Sequence, residues 1–263
     1  MYRLTFDPRG RLGNSIFRYM AMILVALKFK NAVIDIDARK KIGAAVSNSR
    51  LIELLSAEED MLCSDLCFTD FYQVGDIYQA NIAGIKQYIL ENQNVKLYSN
   101  DDPSVLYTYE TKYIYGPSAM KTKVYDFVLH LRLEDVACRD RYMCIKVEKF
   151  VALLNTIPHT ELSGRNAIVV HYTHTDFENN YIKTITDWFS ENNISVTLED
   201  NDIYTDFGIL SNCKVLVCSM STMSWAAAML SDVLEKCYFP DYQNNPSNQT
   251  FKNPIKNTVL FPI

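Results

Sequence analysis

Three short stretches of this chain carry residues that could do chemistry. The first is Gly10-Arg11-Leu12-Gly13-Asn14. Two glycines let a backbone turn tightly and approach a ligand closely. Asn14 can cap the helix that follows, and a helix start offers N–H groups to an anion or a sugar hydroxyl. The second is His130-Leu131-Arg132, with Glu134 and Asp135 just beyond. His130 and Arg132 are two apart at the end of an apolar run, so on a strand they project to the same side. A guanidinium there can make two parallel bonds to a phosphate. The third is Cys218-Ser219-Met220-Ser221-Thr222-Met223-Ser224-Trp225, followed by Ala226, Ala227 and Ala228. Hydroxyls and backbone amides at such a turn suit a pyrophosphate. Each stretch also has a plainer reading: a tight turn, a surface ion pair of Arg132 with Asp135, and a serine cap on a packed helix.

The elements that must position these residues are clearest in the C-terminal half. Residues 124–131 form a strand-like apolar run, and 146–156 have helical spacing at Val147, Phe150, Val151 and Leu154. Residues 168–172 read as a strand. Tyr181, Ile182, Ile185, Trp188 and Phe189 then make one helical face, and 194–198 a short strand. A helix through Ile203, Phe207 and Leu210, a strand over 214–218, a helix over 221–231 and a last strand over 237–239 complete the series. Strand and helix in alternation with short connections imply a parallel sheet covered by helices, the doubly wound class, whose ligands bind beyond the carboxyl ends of the strands. The N-terminal half opens in the same way: a strand over 2–6, a loop from Pro8 to Asn14, a helix over 15–29 that is apolar nearly all round and hence buried, and a strand over 32–36. Residues 60–118 are less legible. Gly116-Pro117 marks a boundary, giving an N-terminal α/β domain over 1–118 and a Rossmann-like domain over 119–263.

Composition excludes several partners. The net charge is −5 over 263 residues, so there is no basic excess to neutralise a nucleic-acid backbone. The seven cysteines are odd in number and include no Cys-x-x-Cys pair, which disfavours zinc and a full disulfide framework. Thiols in a reducing compartment fit best, so the expectation is a cytoplasmic protein. The apolar run over 19–27 is shorter than the roughly 20 residues that span a bilayer. Two Asp-x-Asp pairs, Asp35 with Asp37 and Asp200 with Asp202, have the spacing of a metal-dependent sugar-transfer site, with oxygen ligands suited to Mn²⁺ or Mg²⁺. Such pairs are common by chance, and no metal is expected. His171, inside an apolar run, reads as an interior histidine and His159 as a surface one.

Taken in order, the three stretches resemble one enzyme group. Residues 10–19, Gly-Arg-Leu-Gly-Asn-Ser-Ile-Phe-Arg-Tyr, are similar to the Gly-x-Leu-Gly-Asn-Gln-x-Phe-Gln-Tyr opening of α-1,2-fucosyltransferases and to the Gly-Arg-Phe-Gly-Asn-Gln loop of protein O-fucosyltransferases. Residues 130–135, His-Leu-Arg-Leu-Glu-Asp, resemble their His-x-Arg-Arg-Gly-Asp element. Residues 219–230 resemble Ser-Asn-Ser-Ser-Phe-Ser-Trp-Trp-Gly-Ala-Trp-Leu. The resemblance implies a GT-B fold, two Rossmann-like domains with a cleft between them. It implies an inverting, metal-independent glycosyltransferase with a nucleotide-sugar donor, GDP-fucose favoured, a glycan acceptor and no further cofactor. In that reading Arg132 binds the donor β-phosphate and stabilises the departing diphosphate, and His130 shapes the nucleotide pocket. Asp176 lies near the base. Ser219, Ser221, Thr222, Ser224 and Trp225 belong to the phosphate-side turn, and Arg11, Gly13 and Asn14 face the sugar. Glu134 and Asp135 are the nearest carboxylates to the reacting centre. The chain departs from the pattern at Ser15, Leu133, Glu134 and Ala226, where the family has Gln, Arg, Gly and Trp. A different UDP- or GDP-linked deoxysugar or pentose, or a non-catalytic nucleotide-sugar- or glycan-binding module, are the alternatives that these departures leave open.

Overall fold

The computed structural model describes residues 1–36, 41–70, 72, 75–102, 105–116, 123–133, 144–162, 164–172, 175–241, 255 and 257–263. The chain divides into two compact units, the first built on Met1–Ala119 and the second on Met120–Gln249 and Ile255–Ile263.

The first unit runs β1 (Tyr2–Phe6), α1 (Leu12–Lys28), β2 (Ala32–Ile34), β3 (Ala44–Val46), α2 (Asn48–Ser56), β4 (Leu66–Phe68), α3 (Gly75–Glu91), β5 (Lys96–Asp102) and β6 (Val105–Glu110). Strands β1 to β4 form a parallel sheet in the order β2-β1-β4-β3, and β5 pairs with β6 as an antiparallel hairpin. Helix α1 is buried without a break from Ser15 to Val25 because it packs on β1 and β2, on α2 and α3, and on β5. That accounts for its all-round apolar sequence. It begins at Leu12, earlier than the apolar pattern indicates, with Arg11 at the N-cap and no side-chain cap. Asn14 therefore lies inside the first turn and does not cap the helix. Ser15 Oγ donates to the Tyr98 carbonyl (2.9 Å), which ties the hairpin to the start of α1.

The second unit runs β7 (Tyr125–His130), α4 (Val147–Thr156), α5 (His159–Leu162), β8 (Asn166–Val170), α6 (Asp176–Glu191), β9 (Ser195–Glu199), α7 (Ile203–Ser211), β10 (Cys213–Val217), α8 (Thr222–Leu230), β11 (Lys236–Pro240) and β12 (Thr258–Phe261). Among the described residues its six strands are all parallel, in the order β12-β11-β10-β7-β8-β9. The central strands β7, β8 and β10 are apolar on both faces, with Phe127, Val128, Leu129, Ile168, Val169, Leu216 and Val217 buried, as a sheet covered on both sides requires. Helices α4 and α6 pack together, as do α7 and α8, where Ala226, Ala227 and Ala228 allow close approach. The helix starts are written in the sequence: a Thr175–Glu178 capping box on α6, Asp202 on α7 and Ser221 on α8. Two expectations change. The strand at 236–240 is not the last, since β12 pairs beside it, and β8 stops at Val170 with His171 just beyond.

Candidate functional site

In the second unit the chain leaves β7 toward β8 and β9, then returns to the other side of β7 and continues through β10 to β12. The order reverses between β7 and β10, which opens a crevice at their carboxyl ends. In doubly wound sheets this is where ligands bind. Both C-terminal motifs converge there. His130 is the last residue of β7, and Leu131 N–H still bonds to the Val170 carbonyl (2.9 Å). Leu131 and Leu133 are both buried at 2% exposure, so the half-buried Arg132 between them is turned the other way. Its Nη1 donates to the Met220 carbonyl at 3.1 Å. His130 Nδ1 lies 2.9 Å from Ser219 Oγ. Both side chains thus end on one turn, the link from β10 to α8. Burial, helped by the charge of Arg132, pushes the His130 pKa down to about 3 and keeps the imidazole neutral.

The remaining residues of that motif divide by role. Ser221 Oγ accepts from the Met223 N–H (3.2 Å) as the cap of α8. Ser224 is buried, and its Oγ donates to the Ser221 carbonyl (3.1 Å). Trp225 is wholly buried, edge-on to Phe239 with ring centroids 5.7 Å apart, so it lies in the core rather than at a ligand face. Thr222 and Met223 open α8 half-buried, and its first turn holds no acidic residue. A helix start of this kind favours an anion. Asp176 is the exposed first residue of α6. Among the described residues no hydrogen bond or ion pair joins it to His130, Arg132 or the β10–α8 turn. Glu134 and Asp135 lie outside the described residues.

The sequence pattern missed a polar group at the carboxyl ends of β8 and β9. Asp206, in the first turn of α7, is buried and accepts from Asn201 Nδ2 (3.2 Å), whose amide also donates to Glu199 (2.9 Å). Burial pushes its carboxyl up to about 7, against the Asn201 bonds, and Asp200 and Asp202 add to the rise. The signal was a carboxylate between Ile203 and Phe207 on the face of an apolar helix. His171 is also buried, and its Nδ1 has no partner among the described residues. Asp202 is taken up in capping α7, accepting from the Tyr204 and Thr205 N–H groups at 3.0 and 3.1 Å. This weighs against the Asp200–Asp202 pair as a metal site. Asp35 lies 4.0 Å from Arg3, and Asp37 is outside the described residues.

In the first unit, the turn after β1 has a different construction. Gly10 sits at φ +86°, where an L side chain is strained, and a Cβ there would stand 2.4 Å from Asn14 Nδ2, so the Asn14 amide would also have to shift. Arg11 and Asn14 are half-buried and Gly13 is buried at the start of α1. Asp7 accepts from Arg9 Nε (2.9 Å) and pairs with Lys41 (3.2 Å). The pattern also missed Arg18, which is fully buried in α1. Its Nε donates to the Asp70 carbonyl (3.0 Å) and its Nη1 to that of Arg9. Burial lowers its pKa to about 10, with Asp7 opposing. The signal was a charged residue in an unbroken apolar helix.

No protein-family model and no curated protein matches the chain. Among solved structures it is similar to the E. coli heptosyltransferase WaaC with ADP, at 12% identity and a TM-score of 0.48, over 99% of this chain and 93% of that one. It is also similar to POFUT1 in complex with GDP, at 12% identity and a TM-score of 0.45, over 100% and 98% of the two chains. A second POFUT1 structure, in complex with GDP-fucose, has 11% identity and a TM-score of 0.38, over 99% and 97%. At these scores the likeness is loose, and the strand order of the chain itself is what establishes the topology.

Proposed function

We propose that the chain is a glycosyltransferase of GT-B type that takes a nucleoside-diphosphate sugar, with GDP-fucose as the favoured donor, inversion at the anomeric carbon and no metal. The supporting observation is the convergence of His130 and Arg132 on the β10–α8 turn at the point where the strand order reverses. The site assembles a half-buried guanidinium, a neutral imidazole and the start of α8, a set suited to a diphosphate. The donor sugar, inversion and independence of metal come from the motif resemblance alone.

In this reading an acceptor hydroxyl oxygen bonds to the anomeric carbon while the bond from that carbon to the diphosphate oxygen breaks. The electron pair of that bond leaves with the diphosphate, and the hydroxyl proton passes to a base, for which Glu134 and Asp135 are the candidates. Negative charge grows on the β-phosphate, where Arg132 and the α8 amides act mainly in the transition state. Asp206 is a candidate acceptor for the N–H edge of a base at the same sheet edge.

The test is a thermal-shift series with GDP, UDP, ADP and CMP, followed by turnover of GDP-fucose in EDTA. A nucleotide at about 100 times its Kd stabilises by about 2.7 kcal/mol. UDP or ADP acting in place of GDP would change the donor, loss of turnover restored by Mn²⁺ would remove metal independence, and no response to any nucleotide would remove the proposal. One observation favours a second reading. The family's second arginine is here Leu133, a buried residue, so the site could bind donor without turning it over. Donor hydrolysis separates that binding module from an enzyme.

A further inference from the structure

The Ser219–His130 contact can be made in two ways, and the surroundings of the two atoms choose between them. Both side chains are buried, with Oγ 2.9 Å from Nδ1. If Nδ1 carried the ring proton and donated it, the hydroxyl hydrogen of Ser219 would need another acceptor. Ser219 Oγ has none among the described residues. A buried donor left without a partner carries the full cost of its desolvation. If Ser219 donates to Nδ1 instead, one bond satisfies both groups. The ring proton then sits on Nε2, because the bond at one nitrogen sets the state of the other. Among the described residues Nε2 bonds to no protein group and is not a sealed-off orphan.

We infer that Ser219 is a positioning residue: it donates to His130 Nδ1 and holds the imidazole as the Nε2–H tautomer, a neutral donor for an oxygen of the bound nucleoside diphosphate. The ligand half of this inference rests on the proposed function; the tautomer half does not. Ser219 thereby acts through His130, while Met220, the next residue, holds Arg132 by its carbonyl. One turn sets both groups. The low pKa of His130, about 3, keeps the donor uncharged throughout the neutral range.

The experiment is a long-range ¹H–¹⁵N correlation of the histidine rings in the full chain, which has four histidines, with His130→Gln to assign the signal. His130 is expected to show the Nε2–H pattern in wild type and in Ser219→Thr, unchanged between about pH 6 and 8. In Ser219→Ala, population of the Nδ1–H form is expected. The Kd for GDP should rise about tenfold in Ser219→Ala and return to within about threefold in Ser219→Thr, the loss expected for one hydrogen bond. An Nδ1–H pattern in wild type overturns the inference, and so does Ser219→Ala with both tautomer and Kd unchanged. The wild-type ring pattern is read without ligand, so an Nδ1–H form there overturns the inference even where a variant fails to fold, and Ser219→Thr, which keeps the hydroxyl, is expected to keep the Nε2–H form. If no nucleoside diphosphate binds wild type, the ligand assignment falls together with the proposed function.

Discussion

Arg18 and Arg132 are both held by backbone carbonyl oxygens, and there the likeness ends. Arg18 lies wholly inside the first unit, its Nε and Nη1 committed to the carbonyls of Asp70 and Arg9, and burial draws its pKa down to about 10. Arg132 stands half-exposed at the carboxyl end of a central strand, steadied through Nη1 by Met220. The difference teaches how to tell a structural guanidinium from a chemical one. The first joins two loops after parallel strands and is closed to solvent. The second is half-exposed at a sheet edge, with Nη1 held by one carbonyl of the β10–α8 turn.

The largest effect that sharpens this contrast is on turnover. Arg132→Ala should lower it by about 10²–10³, the usual cost of removing one donor that faces developing charge. Arg132→Lys should also be poor, because an ammonium cannot make the paired planar contact. Melting temperature should move by no more than about 2 °C, since the side chain is not a core group. A folded Arg132→Ala protein that keeps turnover within about threefold of wild type would break the assignment.

Arg18 should behave in the opposite way. Arg18→Met keeps the apolar stem but leaves two carbonyls without their charged donor, each such bond being worth about 1.5–3 kcal/mol. A loss of about 3 kcal/mol corresponds to a fall in Tm of roughly 6–12 °C in a chain of this size class. The Kd of the folded variant for a nucleoside diphosphate should stay within about threefold, as for sites with no shared partners. Unchanged stability with weakened nucleotide binding would reverse the contrast between the two arginines.

Much of the second unit was legible because its signals are local. Apolar runs give β7, β8 and β10, and the serine cap read in the 218–225 stretch is Ser221 on α8, whereas Asp202 was read as part of an Asp-x-Asp pair and is the cap of α7. The pairing of His130 with Ser219 was not legible: the two are 89 residues apart and meet only once β10 is laid beside β7. Asp206 and Arg18 were missed because each interrupts an apolar helix face; the Asp70 carbonyl that holds Arg18 lies 52 residues on, whereas Asn201 stands only five residues before Asp206. In the first unit β3 and β4 have three residues each, too short to show an alternation. Strand β12 stands apart from the strand–helix rhythm and carries no comparable signal.

Gly10→Ala gives a smaller effect, confined to the first unit. At φ +86° an L-residue is strained, and its Cβ would displace the Asn14 amide. The expected cost is about 1–3 kcal/mol, read as a lower Tm, whereas Gly164→Ala should show only the φ penalty because nothing among the described residues lies within 4 Å of its Cβ position. Equal losses at the two positions would mean that the Asn14 contact contributes nothing.

The smallest effect separates two titrating groups within the second unit. Asp206 has its pKa raised from 3.8 to about 7, so between those values the folded state holds a proton that the unfolded state has released. Its contribution to stability is complete below about pH 4 and is lost as pH rises through 7. His130 is lowered from 6.5 to about 3, so the unfolded state takes up the proton first. Its contribution is complete above about pH 6.5 and is lost as pH falls toward 3. From about pH 4 to 6.5 the two slopes oppose each other, each with a limiting size of about 1.4 kcal/mol per pH unit. Asp206→Asn removes one slope. Relative to wild type, its Tm should rise more steeply with pH across that window. His130→Gln should do the reverse, so that its Tm relative to wild type falls as pH rises. Contributions from other carboxylates are common to all three proteins and cancel in the difference profiles, so thermal melts at half-unit intervals are sufficient. A flat difference profile for Asp206→Asn would mean that Asp206 is ionised in the folded state at pH 5, and that the polar group around it is open to water rather than buried.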